Sequence, residues 1–164
     1  MNNTTAATSN VKLSVKVMSA LALLVLLPCL LSLININFAQ SWKIHFFPAA
    51  IILAAVFYGA GGGLVAGISG SLYSALFLGN PYILVGNAIL GLLAGVFYKR
   101  SGKIIPSVML AFACQLPWLI LTDYYFVHLP AIFIARLVVV LFLTNILWAA
   151  LISLSIKPLR KLLC

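Results

Sequence analysis

Six runs of apolar residues follow one another along this 164-residue chain. They lie near residues 13–34, 44–58, 61–78, 82–98, 104–122 and 130–156. A helix needs about 20 apolar residues to cross the hydrocarbon core of a bilayer, so each run is close to a membrane span. Hydrophobic residues make up 65% of the chain and charged residues 7%, which is more apolar side chain than a globule of this length can bury. The sequence therefore predicts an all-helical (all-α) polytopic membrane bundle, and it excludes a soluble enzyme or a nucleic-acid-binding domain.

The breaks between the runs carry turn-forming or charged residues, at 59–63, 79–81, 99–103 and 123–130. The second and third runs are short, and one long interrupted helix is the alternative for them, which would leave five spans. We predict that residues 1–11 form a short disordered cytoplasmic tail and that residues 12–164 form a single domain of six transmembrane helices. A cleaved signal peptide is the alternative for the first run, but its apolar core of about 18 residues is long for one.

The basic residues predict the orientation. The chain has ten Lys and Arg residues and a single acidic residue. With the N-terminus inside, eight basic residues fall on the cytoplasmic side, namely Lys12, Lys16, Lys99, Arg100, Lys103, Lys157, Arg160 and Lys161. The outer loops carry only Lys43. Because cytoplasmic loops are enriched in Lys and Arg, we expect six spans, both termini in the cytoplasm and a location in the plasma membrane.

Arg136 is the clearest polar residue at membrane depth. It lies six residues after Pro130, about 9 Å into the last run. Three interpretations stay open. The guanidinium can reach outward to the interface, it can pair with Asp123, the only carboxylate of the chain, or it can meet an anionic or carbonyl group of a ligand.

Other polar groups predict a site in the outer half of the bundle. Gln115, Trp118 and Thr122 are spaced three and four apart and so share one helix face. Asn87 lies in the outer half of the fourth run, and Trp42 and His45 lie in the first outer loop. Asn145 follows Arg136 by nine residues, which puts the two on about opposite faces of one helix.

No catalytic chemistry is predicted. The chain has no phosphate-binding glycine loop, no dinucleotide fingerprint, no zinc-protease motif and no nucleophile elbow. One carboxylate cannot support a two-carboxylate mechanism. No His, Cys or carboxylate pair has the spacing of metal ligands. We therefore expect neither an enzyme nor a cofactor or metal, and binding or scaffolding is left.

Small residues recur every four positions. Ala55, Gly59, Gly63 and Gly67 form one series, and Gly91 and Gly95 form another. Such spacing lets helix backbones approach closely in lipid. It predicts either close packing within this bundle or a docking face for a partner membrane protein.

The glycine pattern resembles a known family. The stretch Val56-Phe57-Tyr58-Gly59-Ala60-Gly61-Gly62-Gly63-Leu64-Val65-Ala66-Gly67 and the stretch Gly91-Leu92-Leu93-Ala94-Gly95-Val96-Phe97-Tyr98-Lys99-Arg100 resemble the substrate-binding S components of energy-coupling factor (ECF) transporters. The resemblance implies capture of a vitamin or similar micronutrient near the outer face. It also implies docking on a transmembrane coupling subunit that carries two cytoplasmic ATPases. For that docking we nominate Ala50 and Ala54 with Gly63 and Gly67.

The functional expectation is a pocket in the outer half of the bundle. We expect it to contain Arg136, Gln115, Trp118 and Asn87, with Trp42 or His45 on a capping loop. Arg136 would meet a carboxylate or carbonyl of the ligand, the amides would supply hydrogen bonds, and Trp118 would stack. The alternatives are a non-transporting membrane scaffold, such as a rod-shape-determining protein or a subunit of a larger complex, and the membrane part of a cell-wall-regulating sensor kinase.

Overall fold

The computed structural model describes residues 22–39 and 42–163, and in this part the chain is predominantly helical. A short π-helical stretch, Ala22–Leu26, leads into α1 (Leu27–Ser32). The remaining elements are β1 (Asn35–Ala39), β2 (Trp42–His45), α2 (Phe47–Leu78), α3 (Tyr82–Ser101), α4 (Ile104–Tyr125) and α5 (Ala131–Leu163). The predicted tail at 1–11, and Lys12 and Lys16, lie outside the described residues.

Four of these helices, α2 to α5, are long and apolar enough to cross a membrane. α2 contains the second and third predicted runs, and α3, α4 and α5 correspond to the fourth, fifth and sixth. Their outward faces carry large apolar side chains, as with Leu154, which is 80% exposed. In water such a surface would be costly, whereas lipid tails solvate it. The helical, multi-pass membrane character predicted from the sequence is confirmed.

The chain reverses direction inside α2. At Gly59 the backbone leaves the helical region, with φ 70° and ψ −158°. A Cβ added to Gly70 would lie 3.5 Å from the Cβ of Phe47, although positions 47 and 70 of a straight helix would be ~34 Å apart. α2 therefore consists of two antiparallel arms, residues 47–58 (α2a) and 60–78 (α2b). The predicted break at 59–63 is present, but only Gly59 makes it, and residues 60–63 already belong to the second arm.

A two-stranded antiparallel hairpin occupies the first predicted outer loop. β1 pairs with β2 in a register that sets Asn35 opposite His45 and Ile36 opposite Ile44. We predicted a loop here, and the hairpin was missed because each strand is only four or five residues long. The end of β2 is fixed to α5, since the indole Nε1 of Trp148 donates to the backbone carbonyl of His45 at 2.9 Å.

Glycines join α2b to α3 backbone to backbone. A Cβ on Gly63 would collide with the carbonyl of Gly91, and a Cβ on Gly67 with the carbonyl of Asn87. A Cβ on Gly95 would lie 2.6 Å from the Cα of Ala60. Since the contacts run antiparallel over about two helical turns, the two helices are held closer than any side chain would permit. Of the two interpretations of the small-residue series, these contacts support close packing within the bundle.

The remaining helices close around one apolar core. α3 packs on α4, α4 on α5, and α5 returns to α2. Buried residues from these four helices meet in this core, among them Ile52, Leu90, Val108 and Ala149. A second, smaller cluster between the arms of α2 contains Phe47, Ile51, Ala54 and Ala66. The interior is thus filled by side chains, and polar groups enter it at few places.

Candidate functional site

Buried polar side chains gather where α3 begins and α4 ends. Asn80, which is 6% exposed, joins three helices. Its Oδ1 accepts the backbone N–H of Tyr82 at 3.1 Å and so caps α3. Its Nδ2 donates to Oδ1 of Asp123 at 3.1 Å, and its own N–H donates to the carbonyl of Ala75 in α2b. We call Asn80, Tyr82, Gln115, Trp118, Thr122 and Asp123 the α3–α4 polar cluster.

Gln115 and Trp118 lie together against the backbone of α3. A Cβ on Gly86 would be 3.3 Å from Nε2 of Gln115 and 3.4 Å from Cδ1 of Trp118. The Trp118 indole donates its Nε1 hydrogen to the carbonyl of Tyr82 at 3.1 Å. Thr122 shares this face and is 2% exposed. The common face predicted from the spacing of Gln115, Trp118 and Thr122 is confirmed.

Two carboxamide oxygens are buried without a donor. Oε1 of Gln115 and Oδ1 of Asn145 are the buried side-chain atoms that lack a hydrogen-bond partner in the described part of the chain. The two residues are 5% and 3% exposed. A buried amide oxygen without a donor loses the hydrogen bonds that water would give it, at a cost of about 1–3 kcal/mol. Such an oxygen is a ready acceptor for an N–H or O–H group that enters the site.

Arg136 does not reach this cluster. Its side chain is exposed on α5, whereas Asn145 is buried, so the opposite-face prediction for these two residues is confirmed. The predicted ion pair between Asp123 and Arg136 is not formed, because Asp123 is buried and bonded to Asn80. Of the three interpretations of Arg136, this arrangement leaves an outward-reaching guanidinium or a contact with another molecule.

The other predicted pocket residues are dispersed. Asn87 is half-buried on α3, next to Gly86, and its backbone carbonyl lies against Gly67. His45 is half-buried at the end of β2, where its ring lies 5.7 Å from that of Phe47. The backbone of Trp42 begins β2, opposite Ala39. The structure therefore brings Gln115 and Trp118 together against Gly86. Asn87 is only the chain neighbour of Gly86, and His45 lies elsewhere, at the junction of the hairpin and α2a.

The expected docking residues are interior residues. Ala50 and Ala54 are completely buried in α2a, and Gly63 and Gly67 are buried in α2b. They form no exposed surface, because the reversal at Gly59 folds the arms onto each other and onto α3. This corrects the expectation of a docking face at these four positions.

Two open grooves mark the ends of the bundle. An apolar groove of about 240 Å³ lies between the end of α2b and the start of α3, lined by Leu72, Ala75, Leu76, Gly79, Pro81 and Leu84. A second groove of about 350 Å³ lies at the α3–α4 turn. Neither is lined by a predicted pocket residue. Within residues 22–39 and 42–163, no three His, Cys, Asp or Glu side chains lie close enough together to hold a metal ion.

Sequence reasoning missed three members of this neighbourhood. Gly86 carries no side chain to signal a role, and Tyr82 contributes a backbone carbonyl. Asn80 precedes a proline at a turn, so its capping role could have been predicted, but its bond to Asp123 joins residues 43 positions apart. Comparison of the chain with family models, with curated proteins and with solved structures gives no match.

Proposed function

We propose that this protein is the substrate-binding S component of an ECF-type transporter, and that it captures a small molecule from the outer side for uptake by partner subunits. The proposal takes the transport class from the sequence resemblance. The capture site is the α3–α4 polar cluster. The observation that carries it is the buried Gln115 Oε1, which has no donor and lies beside Trp118.

The proposed topology is six crossings with both termini in the cytoplasm. The reversal at Gly59 supports it, since α2a and α2b then cross separately. Gly59 contacts Gly95, within two helical turns of the basic residues Lys99 and Arg100. This end therefore faces the cytoplasm by the positive-inside rule. Single-cysteine variants at the exposed positions 61 and 81, labelled with an impermeant maleimide in sealed cells, test this: position 81 should react from outside and position 61 should not.

The hairpin 35–45 would then lie partly within the outer half of the membrane. α2a covers only ~18 Å, less than the ~30 Å hydrocarbon core. Non-helical backbone is tolerated at that depth where protein covers it. The pairing of β1 with β2 and the bond from Trp148 to the carbonyl of His45 satisfy part of the backbone of this hairpin.

Binding at Gln115 requires a ligand that donates a hydrogen bond. Its N–H or O–H group would satisfy Oε1, and a planar part would lie against the Trp118 indole. The cluster is closed in the present conformation, so the outer ends of α3 and α4 separate on binding. Arg136 is outside this site because its side chain is exposed on α5.

Gln115→Leu is the decisive variant. It removes an acceptor that has no donor, so we expect the protein to be as stable as the wild type. We expect native mass spectrometry of protein extracted from its host to show a retained metabolite on the wild type and none on Gln115→Leu. Cys114→Ala is the matched control, because Cys114 is the exposed neighbour of Gln115. A metabolite retained equally by Gln115→Leu would refute the site.

A scaffold subunit is the second candidate, and exposed Arg136 favours it. An arginine on the outward face of a membrane helix is costly unless it reaches the interface or meets an acidic group of a partner. The same mass spectra separate the two candidates. Partner proteins of cell-wall synthesis without any metabolite support the scaffold, whereas a metabolite with a coupling subunit and two ATPases supports the transporter.

A further inference from the structure

The groove at the α3–α4 turn joins positive charge to an apolar wall. Lys103 lines it together with the polar residues Tyr98 and Ser153. Ile104, Ile105, Pro106 and Ile156 form its apolar side. We call it the basic-end groove. Its volume of about 350 Å³ lies within the range of small-molecule sites, about 300–1,000 Å³, and is enough for a phosphate-containing headgroup.

The turn that carries Lys103 is rigidly held. The Lys103 N–H donates to Oγ of Ser101 at 3.1 Å, and the Lys103 carbonyl accepts from Oγ of Ser107 at 2.7 Å. The two serine hydroxyls are 2.8 Å apart, and Gly102 provides the left-handed conformation that the turn needs, with φ 66°. The Lys103 backbone is therefore fixed by hydrogen bonds that do not use its ammonium group.

Among the described side chains, no carboxylate balances the charge at this end. Lys99 and Arg100 are exposed one turn before Lys103. The single acidic residue of the chain, Asp123, is at the far end of α4, ~30 Å away along the helix. That distance is about three Debye lengths at 0.1 M salt, so Asp123 does not neutralise these exposed basic residues. The groove therefore favours an anion.

We propose that the basic-end groove binds the headgroup of an anionic phospholipid. Lys103 would hold the phosphate, and an acyl chain would continue along Ile105 and Ile156 onto the lipid-facing surface. Ile105 is 40% exposed and Leu154, next to Ser153, is 80% exposed, so the apolar wall of the groove is continuous with that surface. A soluble phosphate would leave this apolar wall unused, and for that reason we commit to the lipid.

The test compares two lysine variants of equal charge. Protein in zwitterionic phosphatidylcholine nanodiscs is titrated with phosphatidylglycerol, and bound lipid is counted by native mass spectrometry. We expect Lys103→Gln to weaken phosphatidylglycerol retention about tenfold, the loss of one charge-assisted hydrogen bond. Lys43→Gln, which removes the same charge in the hairpin, should retain the lipid as the wild type does.

Three outcomes would overturn the proposal. The first is phosphatidylglycerol binding no better than phosphatidylcholine. The second is equal weakening by Lys43→Gln, which would mean nonspecific charge attraction. The third is full competition by glycerol phosphate, which would mean a site for soluble phosphate. The double variant Arg100→Gln/Lys103→Gln removes the case in which Arg100 binds the phosphate in place of Lys103. Unchanged unfolding of all variants in phosphatidylcholine shows that they fold.

Discussion

Replacing Gly63 by alanine tests the backbone contact that organises the bundle. The new Cβ would lie 2.5 Å from the carbonyl carbon of Gly91 and 3.0 Å from the Cβ of Ala55, whereas ordinary contacts are 3.4–4 Å. α2b must therefore move by ~1 Å from α3, its antiparallel partner. Overpacking costs about 1–3 kcal/mol, and we take the upper end because a backbone carbonyl cannot rotate away.

Helix propensity partly offsets this cost. Alanine is favoured over glycine inside a helix by about 1 kcal/mol, so the net loss for Gly63→Ala is about 2 kcal/mol. Gly61→Ala is the matched control, two residues away in the same arm. A Cβ there meets nothing within 4 Å, so this variant should gain up to about 1 kcal/mol.

The assay is reversible unfolding in mixed detergent micelles, followed by circular dichroism. The expected difference between the two variants is about 3 kcal/mol, with opposite signs relative to the wild type. If Gly63→Ala proved as stable as Gly61→Ala, the close approach of α2b to α3 would not exist, and the reasoning from glycine contacts would be refuted.

Three further predictions concern single contacts. Gly59→Ala should lower the free energy of unfolding by about 1–3 kcal/mol, more than Gly79→Ala does. The reason is that the Gly59 backbone, with φ 70° and ψ −158°, is open only to glycine, while Gly79 has the milder φ 63° and ψ 22°. Equal losses of stability in thermal unfolding would contradict this. Asn80→Leu should lower the free energy of unfolding by about 1–3 kcal/mol, because it leaves the buried Asp123 carboxyl without its amide donor. Asp123→Asn keeps an acceptor oxygen and should lower it less in the same assay. Trp148→Phe should lower the free energy of unfolding by about 1 kcal/mol, because the backbone carbonyl of His45 loses the indole donor. Faster hydrogen exchange of the hairpin amides would show this loss.

The helices could be predicted because their causes are local. α3 was predicted at 82–98 and is observed at Tyr82–Ser101; α4 was predicted at 104–122 and is observed at Ile104–Tyr125. Left-handed Gly79 and Gly102 mark breaks that the sequence also marked. The hairpin at 35–45 was not predicted, because its strands are short and its end is fixed by Trp148, which is 103 positions away from His45.

The candidate site could be predicted only in part. The spacing of Gln115, Trp118 and Thr122 places them on one face of α4, and that face is the one that packs on α3. The contribution of Gly86 had no sequence signal. Arg136 was expected beside Gln115, but residues on different helices share a pocket only if both helices are rotated toward it, and α5 is rotated so that Arg136 is exposed.

Local sequence patterns are enough to predict a lipid environment, the helical class and the positions of the turns. These follow from the length of the apolar runs, the need to satisfy the backbone in lipid and the conformational freedom of glycine. Which small residues face one another depends instead on how the helices pack. The reversal at Gly59 turned Ala54 and Gly63 from an expected docking surface into interior contacts. The packing of the helices likewise brings Asp123 to Asn80 and leaves Oε1 of Gln115 without a hydrogen-bond donor. Those outcomes depend on the rotation and approach of helices far apart in the chain, which no local pattern specifies.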